Sequence, residues 1–377
     1  EPERFARTAC IMSASNYITY RLTGKETMDR VTAAFYAPFY DYDRGEWSEE
    51  TLAAFGLDAS LFPDLAWPAE IVGRTPGESA ERTGLPVGIP VVAGSGDGIG
   101  EMLSQGVAEA GDMSIMYGTF GASYAVTEAP LAHRDMWVFP YLEGLHCIGG
   151  GIAATGAVTK WFVEQLRGSR EAGRGKGDKG RSEQQEDGES FFADYARLAQ
   201  EAEGIPAGSG GLLALPFFKG EQPPYNDPDA RGVLVGLTTD HDYRHVYRAL
   251  LEATGYSFRH IIEEIRRAGR EVSDIRASGG GTKNPVWMQL VSDITRRPQH
   301  IPDSEGAAVG AAYLAGLGVG RLENLGDIRS HVRVSATYAP DPDRSALYEH
   351  YYALFEELHG ATKPFMQRLS RLGSPLS

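Results

Sequence analysis

The chain has 377 residues, 42% of them hydrophobic, with two cysteines and a formal charge of −15, which is apolar material for two lobes rather than one core. That acidity excludes a surface built for nucleic acid or an anionic membrane, so any anion site must be local. Cys10 and Cys147 stand apart with no CxxC or His-rich setting, which supports neither a disulfide framework nor a zinc site, and no run of about 18 apolar residues reads as a membrane span; a cytoplasmic location is the expectation.

In chain order, residues from Ala6 to Leu22 alternate at helical spacing and stop at Gly24, a residue suited to a left-handed helix end. An irregular region follows to about Gly84. Ile89–Ala93 reads as a strand, Met102–Val107 as helix and Asp112–Tyr117 as a strand ending at Gly118-Thr119. His146–Ile148 reads as a strand that runs into Gly149-Gly150-Gly151 and then a helix bearing Trp161 and Phe162. Arg167 to Ser190 is charged, glycine-rich and poor in apolar residues, the composition of a disordered surface insertion. Beyond it come a strand at Gly211–Pro216, the loop GEQPPYNDPDARG, a helix over Tyr243–Arg267, a strand at Ile275–Ser278 followed by GGGTKN, a helix through Val291–Asp293, and a short strand at His300-Ile301. Glu305–Ala312 is rich in small residues, which predicts a helix packed tightly on a sheet. The tail Asp343–Leu358 places Leu347, Tyr351, Leu354, Phe355 and Leu358 on one helical face, predicted to dock on the body. His241 and His245 stand four apart, but Asp242 breaks the HExxH pattern and no metal is expected there.

Repeated strand-to-glycine-to-helix units predict an α/β architecture with its loops gathered at one edge. The stretch VVAGSGDGIGEM, Val91–Met102, ends a β-branched run in alternating glycines around one carboxylate, Asp97. Ligands in open α/β sheets bind at the carboxyl ends of strands, although a glycine run is by itself turn chemistry. The GxGxxG count fails at Ile99 and no GxxxxGK[ST] string occurs, which removes the dinucleotide fingerprint and the P-loop. Gly118-Thr119, Gly149–Gly151 with Gly156, and Gly279–Gly281 together offer what a nucleotide needs, namely backbone N–H groups that no Cβ shields.

Five segments in order, VVAGSGDGIGEMLSQG, GDMSIMYGTFGASY, GGGIAATGAVTKWF, LLALPFFKGEQPPYNDPDARGVLVGL and ASGGGTKNPVWMQLVSDITRRPQHIPDSEGAAVGAAYLAGLGVG, resemble the FGGY family of carbohydrate kinases, nearest its xylulokinase-like members. The resemblance implies a two-lobed, actin-like ATPase fold, ribonuclease-H-like in each lobe, using ATP and Mg2+ on a small-molecule sugar, with no nucleic-acid or membrane partner and a homodimer left open. It implies that residues 1–110 are the remainder of a sugar-binding lobe, 111–340 a nucleotide lobe interrupted by 167–190, and 341–377 a C-terminal helix. Asp97 matches the catalytic base; Gly98 stands where relatives often place an Asn or Gln on the sugar. Gly118 and Thr119 match the β- and γ-phosphate motif, Gly156 the glycine after the next strand, Lys160 a polar nucleotide contact, and Gly280 and Asn284 the adenosine motif. Gln222 stands where the family commonly has Arg; if that Arg orders the loop, its loss would loosen the link between the lobes. The family's Asp-x-Gly-Thr phosphate loop is not found in these residues, so the first lobe is expected to be incomplete and the chain truncated. The alternatives are a polyol kinase of the glycerol type and a non-catalytic, nucleotide-binding remnant.

Overall fold

The computed structural model describes residues 2–131, 133–166, 195, 197–303 and 306–373; the charged stretch 167–190 and Glu305 lie outside them. Helix α1 (Ala14–Thr23) starts later than its periodicity suggests, because Ser13 caps it by accepting from the Asn16 N–H, and it stops at Gly24 with φ 74° as the sequence predicts. In the first hundred residues the pairings described are two-stranded: β1 (Thr27–Asp29) lies parallel to β2 (Asp64–Ala66), and β3 (Ile71–Arg74) antiparallel to β4 (Pro90–Val92). Strand β4 feeds helix α2 (Asp97–Ser104).

The large sheet comes next. Its strands are β5 (Asp112–Tyr117), β6 (Gly121–Thr127), β7 (Trp137–Pro140) and β8 (His146–Ile152), then, past helices α3 (Gly156–Trp161) and α4 (Tyr243–Arg267), β9 (Asp274–Ser278). After helix α5 (Pro285–Thr295) come β10 (Gln299–Pro302), helix α6 (Ala307–Gly318), β11 (Val334–Tyr338) and helix α7 (Pro342–Gly373). The spatial order is β11-β10-β9-β5-β6-β8-β7. Strands β5, β9 and β10 run parallel; on one side β6, β8 and β7 follow, each antiparallel to its neighbour, and β11 closes the other edge antiparallel to β10. An antiparallel set extended by parallel strands reached through helices is the ribonuclease-H-like arrangement of an actin-like lobe, as expected.

Gly149–Gly151 are not a loop. They lie inside β8, paired with Tyr124, Ser123 and Ala122 of β6, and side chains there would strike the Ser123 carbonyl, the Pro223 carbonyl and the Phe120 and Trp137 rings. The glycines are set by packing.

Helix α4 is buried on nearly all sides. It is gripped by β8, α5 and α7, and its Tyr247, Leu251, Phe258 and Ile265 enter the main core. His241 and His245 serve its start: His245 Nδ1 accepts from the Asp242 N–H at 3.2 Å while Asp242 accepts from the Arg244 N–H, and His241 Nδ1 accepts from the Thr238 N–H.

Two packing expectations hold only in part. Helix α7 docks, and of the face predicted for it Phe355 is buried and Tyr351 and Leu358 pack on the core, but Leu347 and Leu354 are 39% and 51% exposed and Tyr348, Tyr352 and Met366 are buried in addition; the added tyrosines reach partners on α4, as when Tyr348 donates to the buried Glu252 at 2.8 Å. Helix α6 packs mainly on α2 and, through Gly318 beside Val92, also on β4. At the crossing of α6 on α2 a Cβ on Gly100 would lie 2.6 Å from the Ala307 carbonyl oxygen, and one on Gly310 would lie 2.5 Å from Gly100 Cα, so only glycine allows the backbones to approach this closely.

Candidate active site

Asp97 is the first residue of α2 after the Gly96 cap, where the helix dipole favours a carboxylate. Its side chain is exposed and accepts from the Gly98 N–H at 2.9 Å. Four glycines surround it for different reasons. Gly94 has φ +71° and is a turn residue, and Gly100 is needed at the helix crossing. Gly96 and Gly98 have neither need: their φ is not left-handed and a Cβ on either would meet none of the described residues within 4 Å. The fold does not require those two glycines, and their effect is open space on both sides of the carboxylate.

The Asp97 loop is anchored from a distance. Ser95 donates through Oγ to Asp29 Oδ1 at 2.9 Å, and Asp29, fully buried, also accepts from the Thr32 N–H at 2.9 Å. Tyr124 on β6 lies near enough to feel Asp97: its phenol is pushed up to about 12, first by burial, then by Cys147 and Asp97. Sequence patterns point to neither Asp29 nor Tyr124. Asp29 is recognisable as a helix cap, but its tie to Ser95 has no local signature.

Gly118, Thr119 and Gly156 are brought together. The N–H groups of Thr155 and Ala157 donate to the Thr119 carbonyl, both at 3.1 Å, and that of Gly156 to the Gly118 carbonyl at 2.9 Å. A Cβ on Gly156 would stand 2.7 Å from the Gly118 oxygen, so this glycine lets α3 sit on the turn. Those first amides of α3 are thus spent on the turn, which itself is exposed with the Thr119 side chain. Lys160, one helical turn on, is exposed and 3.7 Å from Glu164 Oε1.

The GGGTKN segment divides in the same way. Gly279 has φ +92° and Gly281 packs on Tyr117 and Trp287, whereas a Cβ on Gly280 would meet nothing. Asn284 caps α5, its Oδ1 accepting from the Trp287 N–H at 3.0 Å, so that oxygen is committed to the helix rather than offered to a base. Beneath this segment, Gln105 at the end of α2 donates to Ser278 Oγ at 2.9 Å and accepts from Ser114 Oγ at 2.8 Å, all three buried. Gln105 therefore ties the helix that begins at Asp97 to the strand that ends at Ser278. The GEQPPYNDPDARG loop is held by bonds outside the Gln222 side chain: Glu221 and Asp227 bond each other's backbones at 2.8 and 3.0 Å, Asn226 donates to the Asp135 carbonyl at 2.9 Å, and Ser370 of α7 donates to Asp229 at 2.7 Å.

No helix among the described residues is long and apolar enough to cross a membrane. Residues 113–319 match the FGGY family of carbohydrate kinases, C-terminal domain, and residues 1–103 match its N-terminal domain. The chain is 28% identical over 369 residues to a xylulose kinase of Bacillus subtilis, covering 96% of this chain and 69% of that one. It is 29% identical over 355 residues to a glycerol kinase of Thermococcus gammatolerans, covering 93% and 66%. Among solved structures, the xylulose kinase from Rhodospirillum rubrum superposes with a TM-score of 0.86 at 31% identity, over 97% of this chain and 70% of that one.

Proposed function

We propose that this chain, which belongs to the FGGY family of carbohydrate kinases, phosphorylates a hydroxyl of a ketose, with xylulose the first candidate, and that Asp97 is its general base. That it is an ATP-dependent sugar or polyol kinase follows from the family; the ketose and the residue roles are our reading. The observation that carries it is the exposed Asp97 carboxylate at the end of β4 between two glycines that the fold does not need. A sugar hydroxyl can approach such a carboxylate closely, and the base takes its proton as the oxygen attacks the γ-phosphorus. On this reading residues 1–110 serve the sugar and 111–340 the nucleotide. Gly118 and Thr119 face the β- and γ-phosphates, Gly156 seats the helix behind them, Lys160 lies at the nucleotide's rim and Gly280 leaves room for the adenosine. Gly98 can lend the sugar only backbone, so recognition of the other hydroxyls falls to different residues.

Mg2+ would arrive with the polyphosphate. Among the described residues no group of three or more His, Cys, Asp or Glu side chains could cage an ion, a donor set that suits a cation held largely by phosphate oxygens and water. Its charge would neutralise the transferring group, leaving Asp97 to handle the proton.

A comparison of sugar-dependent ADP release by the full-length protein with xylulose, ribulose and glycerol tests the substrate class. We expect kcat/KM for a ketose to exceed that for glycerol; the reverse order would establish the polyol reading that the glycerol kinase relative supports. Gly280→Val tests the nucleotide side. With open space at this position, ligand-free stability should change by no more than about 0.5 kcal/mol. The stabilisation by ATP, about 2.7 kcal/mol at a hundredfold excess over Kd, should vanish. An undiminished ATP-induced thermal shift in this variant would put the adenosine elsewhere.

A further inference from the structure

Among the described residues, Glu221 is a buried carboxyl without a charge partner. Its side chain belongs to a residue only 6% exposed; Oε1 accepts from the Ala153 N–H at 3.1 Å and the Gln222 N–H at 2.9 Å, while Oε2 is enclosed with no hydrogen-bond partner among the described residues. An ionised carboxylate left half-satisfied in such a place is far more costly than a neutral acid. Burial, opposed by those two backbone donors, pushes its pKa up to about 8.

Its position gives the acid a task. The Glu221 loop is stitched to the end of β8 at two points, by the Gly151 N–H on the Pro223 carbonyl at 3.1 Å and by the Ala153 N–H on Glu221. Two residues beyond Ala153, the amides of Thr155, Gly156 and Ala157 grip the carbonyls of Gly118 and Thr119. The buried acid and the exposed Gly118-Thr119 turn are thus held by two sets of hydrogen bonds joined through the short backbone segment Ala153–Thr155. Titratable groups on its own loop are Tyr225, whose phenol is raised first by burial and then by Glu356 and Glu221, and Asp227, opposite it in the backbone bridge. His260 of α4 and His359 of α7 pack on the far side of the Tyr225 ring, and the facing Gly149–Ile152 of β8 has no titratable side chain.

We propose that Glu221 is a positioning residue of the nucleotide site, a proton-bearing carboxylic acid that fixes the Ala153–Thr155 turn and through it seats Gly156 on Gly118-Thr119. The inference rests on the assignment of Gly118-Thr119 to the phosphates. A neutral acid also avoids placing a buried negative charge behind a polyphosphate, where low dielectric would make the repulsion strong.

The test is the thermal shift produced by Mg-ATP between pH 6 and 9.5, on the parent, Glu221→Gln and Glu221→Ala, with KM for ATP and for sugar measured alongside. In the parent, nucleotide affinity falls as the pH passes about 8. Glu221→Gln, an isostere of the neutral acid, keeps neutral-pH affinity and loses this alkaline decline. Glu221→Ala raises KM for ATP on the order of tenfold through misplacement of the turn and leaves KM for the sugar unchanged. Without ligand, the folded acid holds its proton while the unfolded one releases it, so the stability present in acid is lost progressively between about pH 4.3 and the folded value; Glu221→Gln removes that slope. An alkaline decline identical in parent and Glu221→Gln, or parental ATP binding by Glu221→Ala, would overturn the proposal; if the alanine variant does not fold, the glutamine profile alone decides. A parent that binds ATP undisturbed by Gly280→Val would instead overturn the site assignment on which it rests.

Discussion

Asp97→Asn should lower kcat by about 10²–10⁴-fold, the usual contribution of a general base, while ATP and sugar binding are retained. The amide is nearly isosteric, and its oxygen can still accept from the Gly98 N–H that Asp97 now engages at 2.9 Å, so the start of α2 is kept. What it cannot do is take a proton. The side chain is exposed and the fold spends no buried contact on it, so the thermal midpoint should barely move. The signature is therefore a fall in kcat with unchanged KM for both substrates, since the lost interaction exists only in the transition state. If the variant retained more than about a tenth of kcat, far above the loss expected of a general base, proton acceptance would belong to another group.

Gly310→Val should destabilise the protein strongly, and it tests how the base is held rather than what it does. At the crossing of α6 on α2 the new Cβ would overlap the Gly100 carbonyl and come within 2.5 Å of Gly100 Cα. The obstacle is backbone and cannot rotate away. Overpacking costs about 1–3 kcal/mol where side chains can adjust, and here the upper end or more is expected, at about 2–4 °C of Tm per kcal/mol for a large domain. If the protein survives by parting the helices, α2 moves and Asp97 with it; a 1 Å misplacement can cost about 10²-fold in rate. Gly280→Val is the internal control for ligand-free Tm alone, being the same change of side chain where a Cβ meets none of the described residues. Parental Tm and kcat for Gly310→Val would show that the two backbones are not in contact in solution.

How much of the fold and the site is legible in the sequence varies with the range of the forces involved. The β4–glycine–α2 unit around Asp97 is readable because a β-branched run, turn glycines and helical periodicity are local signals, and the same holds for β5, β9, α4 and the left-handed stop at Gly24. Gly149–Gly151 mislead because glycine disfavours strands, and only the close approach of β6, the Pro223 loop and two aromatic rings reveals why it is required inside β8. The face of α7 misleads in part. Its spacing marks Phe355, Tyr351 and Leu358 correctly, yet the partners available on α4 turn Tyr348 and Tyr352 inward as well and leave Leu347 and Leu354 exposed. The ties that fix the site, Ser95 to Asp29 across 66 residues and Gln105 to Ser278 across 173, are side-chain hydrogen bonds between distant segments and leave no periodic trace. Glu221 is visible as a letter in a loop; its burial is not.

The most direct measurement is transfer of label from γ-labelled ATP to xylulose, in the full-length protein and its Asp97→Asn variant side by side. The account predicts a labelled sugar phosphate that accumulates with ADP in the parent and falls at least a hundredfold, at the lower bound of about 10² for a general base, in the variant. Labelled sugar formed at the parental rate by Asp97→Asn, or ADP released by the parent with no label on xylulose, any other ketose or a polyol, would contradict it.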